Sequence, residues 1–364
     1  MAREEDSLGF GRGGRTPHAE VSSAPDPLVG LPYAHGCPLG RARLRHVPDD
    51  FQVDEELGFT PSGEGEHLML FVRKRGWTTE AAAKRLADHL GVRRRAVEYA
   101  GLKDRHAVTG QWFSIHMPGS ALTAGGVIDD GIEVVAATRN ARKLRRGALA
   151  GNRFRLVLRD VDAAPAALDD RLRIVASRGV PNYFGAQRFG RDGDNLERSK
   201  EWLLEGRPVR GRAMRGLLLS AARSALFNLV AAHRVADTTW DRLLAGDRAA
   251  LDGRKSHFPV EEVDPELARR TASGELHPTG PLPGSAGDGP AGEVARMEER
   301  LLAAEQPLVE ALRAHGLRAD RRALRLIPRD LAWWWPEPGV LALSFALPAG
   351  GYATSVVREV VSDS

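Results

Sequence analysis

The chain of 364 residues has a single cysteine, Cys37, so no intrachain disulfide can form and nothing suggests the stapled scaffold of a secreted domain. No uninterrupted apolar run reaches the roughly 18 residues of a membrane span. Arg3, Glu4, Glu5 and Asp6 open the chain with no apolar core segment behind them. A signal peptide is therefore not expected, and a cytoplasmic protein is. Also missing are GxxxxGK[ST], HExxH, GxSxG and paired CxxC spacings, the signatures of phosphate loops, zinc proteases, serine hydrolases and zinc or redox sites. Gly9, Gly11 and Gly14 satisfy GxGxxG, but no strand-like run precedes them and no helical pattern follows, so the context of a dinucleotide site is absent.

What the chain has in quantity is charge. With 42% hydrophobic and 27% charged residues it fits a soluble enzyme of about two domains. The formal net charge is only +4, yet the 52 Lys and Arg are clustered. The clusters are Arg41, Arg43 and Arg45; Arg73, Lys74 and Arg75; Arg93 to Arg95; Arg139, Arg142, Lys143, Arg145 and Arg146; and Arg321, Arg322 and Arg325. Such clustering makes a polyanion the natural partner. A solvated charged face accounts for it about as well on composition alone. A membrane surface fits less well, because no basic helix carries large apolar residues opposite its charges.

Residues 1 to about 30, rich in Gly, Arg, Ser and Pro, read as a disordered tail. Thr78 or Thr79 caps a helix with Ala83, Leu86, Ala87 and Leu90 on one face and Gly91 at its end. Arg153 to Val161 alternates as a half-buried strand, with Phe154, Leu156 and Leu158 on one side and Arg153, Arg155 and Arg159 on the other. A helix begins at Pro165 and stops at Gly179. From Asn182 to about Leu317 the chain reads as mainly helical, its clearest helix striped by Leu218, Ala221, Ala222, Ala225 and Leu229. Residues 273 to 292 read as a Gly/Pro-rich loop, followed by a helix that Pro307 should bend. Strand-like runs return at Val340 to Pro348 and Ala353 to Val361, so a sheet is interrupted by a helix-rich block. That is the pattern of one domain inserted into another.

The most informative segment is YAGLKDRHAVTGQW, Tyr99 to Trp112, which sets Asp104 between Lys103 and Arg105 in a turn between two strand-like runs, Ala96 to Leu102 and Gln111 to Ile115. A carboxylate held among cations stays ionised at neutral pH, as a nucleophile or electrostatic catalyst requires. A solvated ion pair of little consequence is the plainer account of Lys-Asp-Arg taken by itself.

The wider string GLKDRHAVTGQ, Gly101 to Gln111, resembles the signature of the TruD family of tRNA pseudouridine synthases. The resemblance extends in order through PDDFQVDE (48 to 55), GEGEHLML (63 to 70), GNRFRLVLR (151 to 159), VPNYFGAQRFG (180 to 190), SAARSALFN (220 to 228) and LPAGGYATSVVRE (347 to 359). It implies an α/β (α+β) fold: a pseudouridine synthase catalytic domain with a mixed, mainly antiparallel sheet, over residues 31 to 180 and 318 to 364. A helix-rich domain peculiar to the family is inserted at 181 to 317, and a cleft between the two would be the RNA site.

The resemblance implies isomerisation of a uridine in tRNA, at position 13 of the D arm, with Asp104 as catalytic carboxylate. It implies no cofactor, no metal and no protein partner, since the product is an isomer of the substrate. Phe154 matches the aromatic residue placed against the target base, although its position on an apolar strand face also reads as core packing. Asn152 matches the Asn of the GN-x-F block, able to meet the uracil edge or hold Asp104, or simply to form a turn after Gly151. Arg45 stands where many members carry Lys and would pair with Asp104. His106 reads as a hydrogen-bonded turn residue. Tyr183, Phe184, Gln187, Arg188 and Phe189 read as a domain junction, Trp333 to Trp335 as a cluster with at least one core member, and Arg358 and Glu359 as a pair inside the sheet. Two rivals remain open: a catalytically silent tRNA-binding chaperone, and a metal-dependent nuclease needing clustered carboxylates.

Overall fold

The structure is a computed structural model that describes residues 30–119, 125–145, 147–190, 193–254 and 256–364. The expected tail and its GxGxxG lie almost wholly outside the described residues. The chain begins with β1 (Arg41–Ala42), β2 (Phe51–Leu57) and β3 (His67–Arg75), then α1 (Thr79–His89) and β4 (Val97–Tyr99). After the Asp104 turn come β5 (Val108–His116), β6 (Gly126–Asp129), β7 (Ile132–Asn140), β8 (Leu149–Leu158), α2 (Pro165–Arg178) and β9 (Val180–Pro181). A second block follows: α3 (Asn195–Glu205), α4 (Arg212–Ala236), β10 (Arg248–Leu251), β11 (His257–Pro259), α5 (Pro265–Ala272), β12 (Leu276–Leu282), α6 (Gly292–Leu302), α7 (Gln306–Ala314) and β13 (Asp320–Ala323). The chain closes with β14 (Arg325–Leu326), β15 (Arg329–Glu337), β16 (Val340–Pro348), α8 (Ala353–Arg358) and β17 (Ser362–Asp363).

The main sheet has nine strands, ordered β15-β16-β8-β2-β5-β3-β7-β6, with β4 also paired to β5. Its β2·β5 pair is parallel and its other described pairs are antiparallel, which makes a mixed, mainly antiparallel sheet. Local chemistry sets its helices. The Thr78 hydroxyl accepts the Ala81 amide and caps α1, and α2 starts on Pro165 and stops at Gly179. Gly179 has φ +76°, and a Cβ there would lie 2.5 Å from the Leu326 carbonyl oxygen, so both the turn and the close approach require glycine. Leu168, Leu172 and Val175 of α2 join Phe154, Leu156, Leu158, Leu343, Phe345 and Val356 in one core on a single face of the sheet.

Several elements differ from expectation. The supposed loop at 273 to 292 contains β12, fully buried from Leu276 to Gly280 and lying between β10 and β13 in a four-stranded sheet of the second block. Pro278 and Pro281 hid it, because proline in a strand forfeits a donor and argues against a central position. Pro307 bends nothing: it sits in the first turn of α7, where a missing N–H costs little. Ala353 to Val361 is not a strand. Val356, Val357, Val360 and Val361 are all buried, a spacing that suits the short helix α8 and its terminal turn better than alternation. The tryptophan trio lies on β15, which the sequence reading missed. In α4 Leu229 is 43% exposed, because the buried stripe runs through Leu226, Phe227, Val230 and Ala231 instead. By length and composition α4 is apolar enough to cross a membrane, but here it packs against α3, α6, α7 and β12.

Candidate active site

The register of three strands builds one wall of a cleft. Val53 on β2, Phe154 on β8 and Phe345 on β16 lie side by side, and one pleat along the next row is Glu55, Asn152 and Leu347. Alternation therefore sends Asn152 to the same face as Phe154. The Asp104 turn closes over this face, and Gln187, Gly351, Tyr352 and Thr354 complete a cavity of about 170 Å³ that Asp104, Arg45, Asn152 and Phe154 all line. Four residues spread over 110 positions of sequence thus meet in one cleft.

Asp104 is held at both oxygens. Oδ1 accepts the backbone N–H of His106 at 2.9 Å, and Oδ2 accepts Nη1 of Arg45 at 3.3 Å. His106 contributes its backbone to an Asx turn. Arg45 occupies the left-handed region at φ 54°, which costs a non-glycine residue about 1–3 kcal/mol. Its guanidinium lies 4.2 Å from the centre of the Phe51 ring, so stacking and the ion pair together hold it there. The sequence neighbours of Asp104 behave differently: Arg105 is exposed, and Lys103 turns inward to pair with Glu55 at 3.0 Å.

Glu55 is the residue that sequence reasoning missed. Its side chain is fully buried, its other oxygen accepts the Trp112 amide at 2.9 Å, and Lys103 Nζ also donates to Asn152 Oδ1 at 2.7 Å. The Lys103 amide donates to the Thr79 hydroxyl at 2.9 Å, that hydroxyl donates to Gln111 Oε1 at 3.0 Å, and Gln111 Nε2 donates to the Gly101 carbonyl at 2.7 Å. The strand before Asp104 is thereby tied to β2, β5, β8 and the first residue of α1. The signal was present in the block 48 to 55: after Phe51 and Val53, alternation puts a carboxylate on the apolar face. Burial pushes the Glu55 carboxyl above its ordinary range, opposed by the Lys103 ammonium and the Trp112 amide.

Lys74 lies beside this network, fully buried, with Nζ donating to the Trp77 carbonyl at 2.8 Å. Desolvation, and then the nearby Lys103, lower its pKa to about 8 from the usual 10.5. Below pH 8 both folded and unfolded chains hold the proton. Between about 8 and 10.5 the folded chain sheds it first, so this group makes stability rise with pH across that window. The full contribution is on the order of 3 kcal/mol. Lys74→Met should remove the rise, which denaturant unfolding of both proteins through the window will reveal. Parallel pH curves would show that Lys74 titrates normally.

Phe154 is 6% exposed, stacked on Phe345 at 5.5 Å between ring centres and edge-on to Phe51 at 6.2 Å. It is a core residue that also forms part of the cleft wall. Tyr183, Phe184 and Phe189 are buried together in the second block's core, while Gln187 is exposed at the cleft. Trp333 and Trp335 donate their indole N–H to Asp169 at 2.8 and 3.2 Å, and Trp334 points the other way, 48% exposed. Arg358 and Glu359 pair at 3.1 Å, but at the end of α8 and not inside a sheet. There Glu359 accepts the amides of Ala34 and His35, and Arg358 donates to the carbonyls of Leu31 and Pro32, clamping the start of the described chain. Among the described residues no three His, Cys, Asp or Glu side chains gather as a metal site.

The family model described as tRNA pseudouridine synthase D (TruD) matches residues 31–208 and 209–360. The chain belongs to the TruD family. It is 46% identical over 341 residues to tRNA pseudouridine synthase D of Stutzerimonas stutzeri, covering 93% of this chain and 97% of that one. It is 47% identical over 337 residues to the protein of the same name in Pseudomonas fluorescens, with 91% and 94% covered. A solved TruD structure from Methanosarcina mazei superposes with a TM-score of 0.68 at 21% identity, over 93% of this chain and 98% of that one. That likeness establishes the shared TruD fold.

Proposed function

We propose that this TruD-family chain isomerises uridine to pseudouridine in tRNA, at position 13 of the D arm, with Asp104 as the catalytic carboxylate. The observation that carries the reading is the meeting of Asp104, Arg45, Asn152 and Phe154 in one cleft. The bond from N1 to ribose C1′ breaks, the base turns, and C5 bonds to C1′ while C5 loses a proton and N1 gains one. No atom or electron is gained overall. Arg45 holds Asp104 in place through their ion pair, and Phe154 offers a ring edge or face to the base. With Asn152 Oδ1 taken by Lys103, the amide NH₂ is left to donate to a uracil carbonyl.

The domain reading belongs to the same proposal: a catalytic domain at 31 to 180 and 318 to 364, a family insertion at 181 to 317, and a cytoplasmic enzyme. Its support is strand pairing, since the nine-stranded sheet takes strands from β2 to β8 and from β15 and β16, while β10 to β13 pair among themselves. Because β13 pairs with β12, the insertion's own sheet continues to Ala323.

The test is base-resolution mapping of pseudouridine in unmodified tRNA incubated with the protein. Pseudouridine is expected at position 13, in chelator as in buffer, with tRNA affinity falling steeply as salt rises because bound phosphates release counterions. Modification at another position would overturn the site assignment. Binding without any product would overturn the enzymatic reading.

A further inference from the structure

We infer that Arg188 and Arg322 form an anion site on this cleft that takes a backbone phosphate of the RNA; the inference rests on the reading that tRNA is the substrate. Arg188 follows Gln187, which lines the cleft, and donates to the hydroxyls of Tyr352, another lining residue, at 3.1 Å and of Ser220 at 2.9 Å. Arg322 reaches the same place from β13, donating to the Asn182 carbonyl at 3.2 Å, to Asn182 Oδ1 at 2.5 Å and to the Gly350 carbonyl at 2.9 Å. Both guanidiniums lie against one ring, that of Phe184, at 5.3 and 4.1 Å from its centre.

Arg325 too is held by carbonyls and His277, but Asp241 and Asp252 lie near it; what sets this pair apart is two guanidiniums converging on one ring with no carboxylate among their described partners. Elsewhere in this block Arg234 is paired with Asp247 at 2.9 Å and Arg321 with Glu298 at 2.5 Å. Arg188 and Arg322 have only neutral partners among the described residues, and each repels the other. Burial, reinforced by Arg188, lowers the Arg322 pKa to about 10. Two like charges, each only partly exposed and held by hydroxyls, carbonyls and one ring, are a costly arrangement for a merely structural junction. They become favourable when a bidentate anion arrives, for which the planar guanidinium is suited. The cleft identifies that anion. A nucleotide whose base reaches Phe154 and whose sugar reaches Asp104 carries a phosphate on each side, and Tyr352 joins the cleft to the arginine pair.

Arg188→Gln, Arg322→Gln and the two Lys variants test this by tRNA binding over a salt series, steady-state pseudouridine formation and thermal melting. Each Gln variant should lower the salt slope by about 1 and weaken tRNA binding about 10- to 100-fold, with KM raised more than kcat is lowered. The Lys variants should keep the slope and lose part of the affinity. A fall in melting temperature with slope and KM unchanged would overturn the site and leave a packing junction. If the Gln variants do not fold, Lys variants with wild-type affinity overturn it equally. Inorganic phosphate that raises the wild-type melting temperature, but not that of Arg188→Gln, without competing with tRNA would place a free anion there and overturn the RNA assignment. Wild-type protein that makes no pseudouridine yet loses salt slope in the variants would keep the anion site while removing the enzymatic reading.

Discussion

Asp104→Asn is expected to lower pseudouridine formation about a thousandfold or more while leaving tRNA affinity within a few-fold. Among the described residues Asp104 is the single carboxylate lining the cleft, and Glu55, on the neighbouring strand, is buried and already paired with Lys103. Among them no second acid stands ready to replace it. Asn is nearly isosteric, and its Oδ1 can still accept the His106 amide, so the turn should survive. What disappears is the charge, together with the ion pair to Arg45. That pair is about one-third exposed on each side, so its loss should hardly alter stability. Single-turnover assays on unmodified tRNA, with binding measured in parallel, decide the matter. Turnover near wild type would move the chemistry away from Asp104.

Much of the site was legible because its residues lie in short motifs whose geometry is local. The alternation around Phe154 fixed which side chains of β8 face inward, and Asn152 followed by counting two residues back. Lys-Asp-Arg marked the turn, and the family resemblance named Arg45 as the partner of Asp104, but the turn's own charges pointed to its neighbours instead. The cation that reaches Asp104 is Arg45, 59 residues earlier, while Lys103 turns inward to Glu55. That exchange depends on the parallel pairing of β2 with β5 and the antiparallel pairing of β2 with β8, long-range registers that no local pattern encodes. The same limit explains β12, whose prolines are tolerated because Pro278 pairs only with β10 and Pro281 only with β13, so each lies in a stretch paired on one side. It also explains α8, where a short apolar run suits either period until the core chooses.

The Glu55–Lys103 pair carries the second large expected effect. Glu55→Ala removes a fully buried carboxylate and leaves the Lys103 ammonium, 11% exposed, with Asn152 Oδ1 as its remaining partner. It also strips the Trp112 amide of its acceptor. Breaking one side of a buried ion pair typically costs about 3–5 kcal/mol, because the other charge is stranded. Turnover in the protein that remains folded should also fall, since Lys103 is tied to Asn152 and immediately precedes Asp104. The double variant Glu55→Gln with Lys103→Met separates the two effects. Removing both charges while keeping volume should restore most of the stability, as replacement of a whole buried pair often does. It should not restore turnover, because the tie from Lys103 Nζ to Asn152 is gone. Amide exchange at Leu102 to His106 should then be faster than in the wild type even though global unfolding is not, which marks a loosened turn in a stable fold. Wild-type exchange and turnover in the double variant would mean that the sheet and the Thr79–Gln111 bonds alone position Asp104, with the buried pair contributing only to folding.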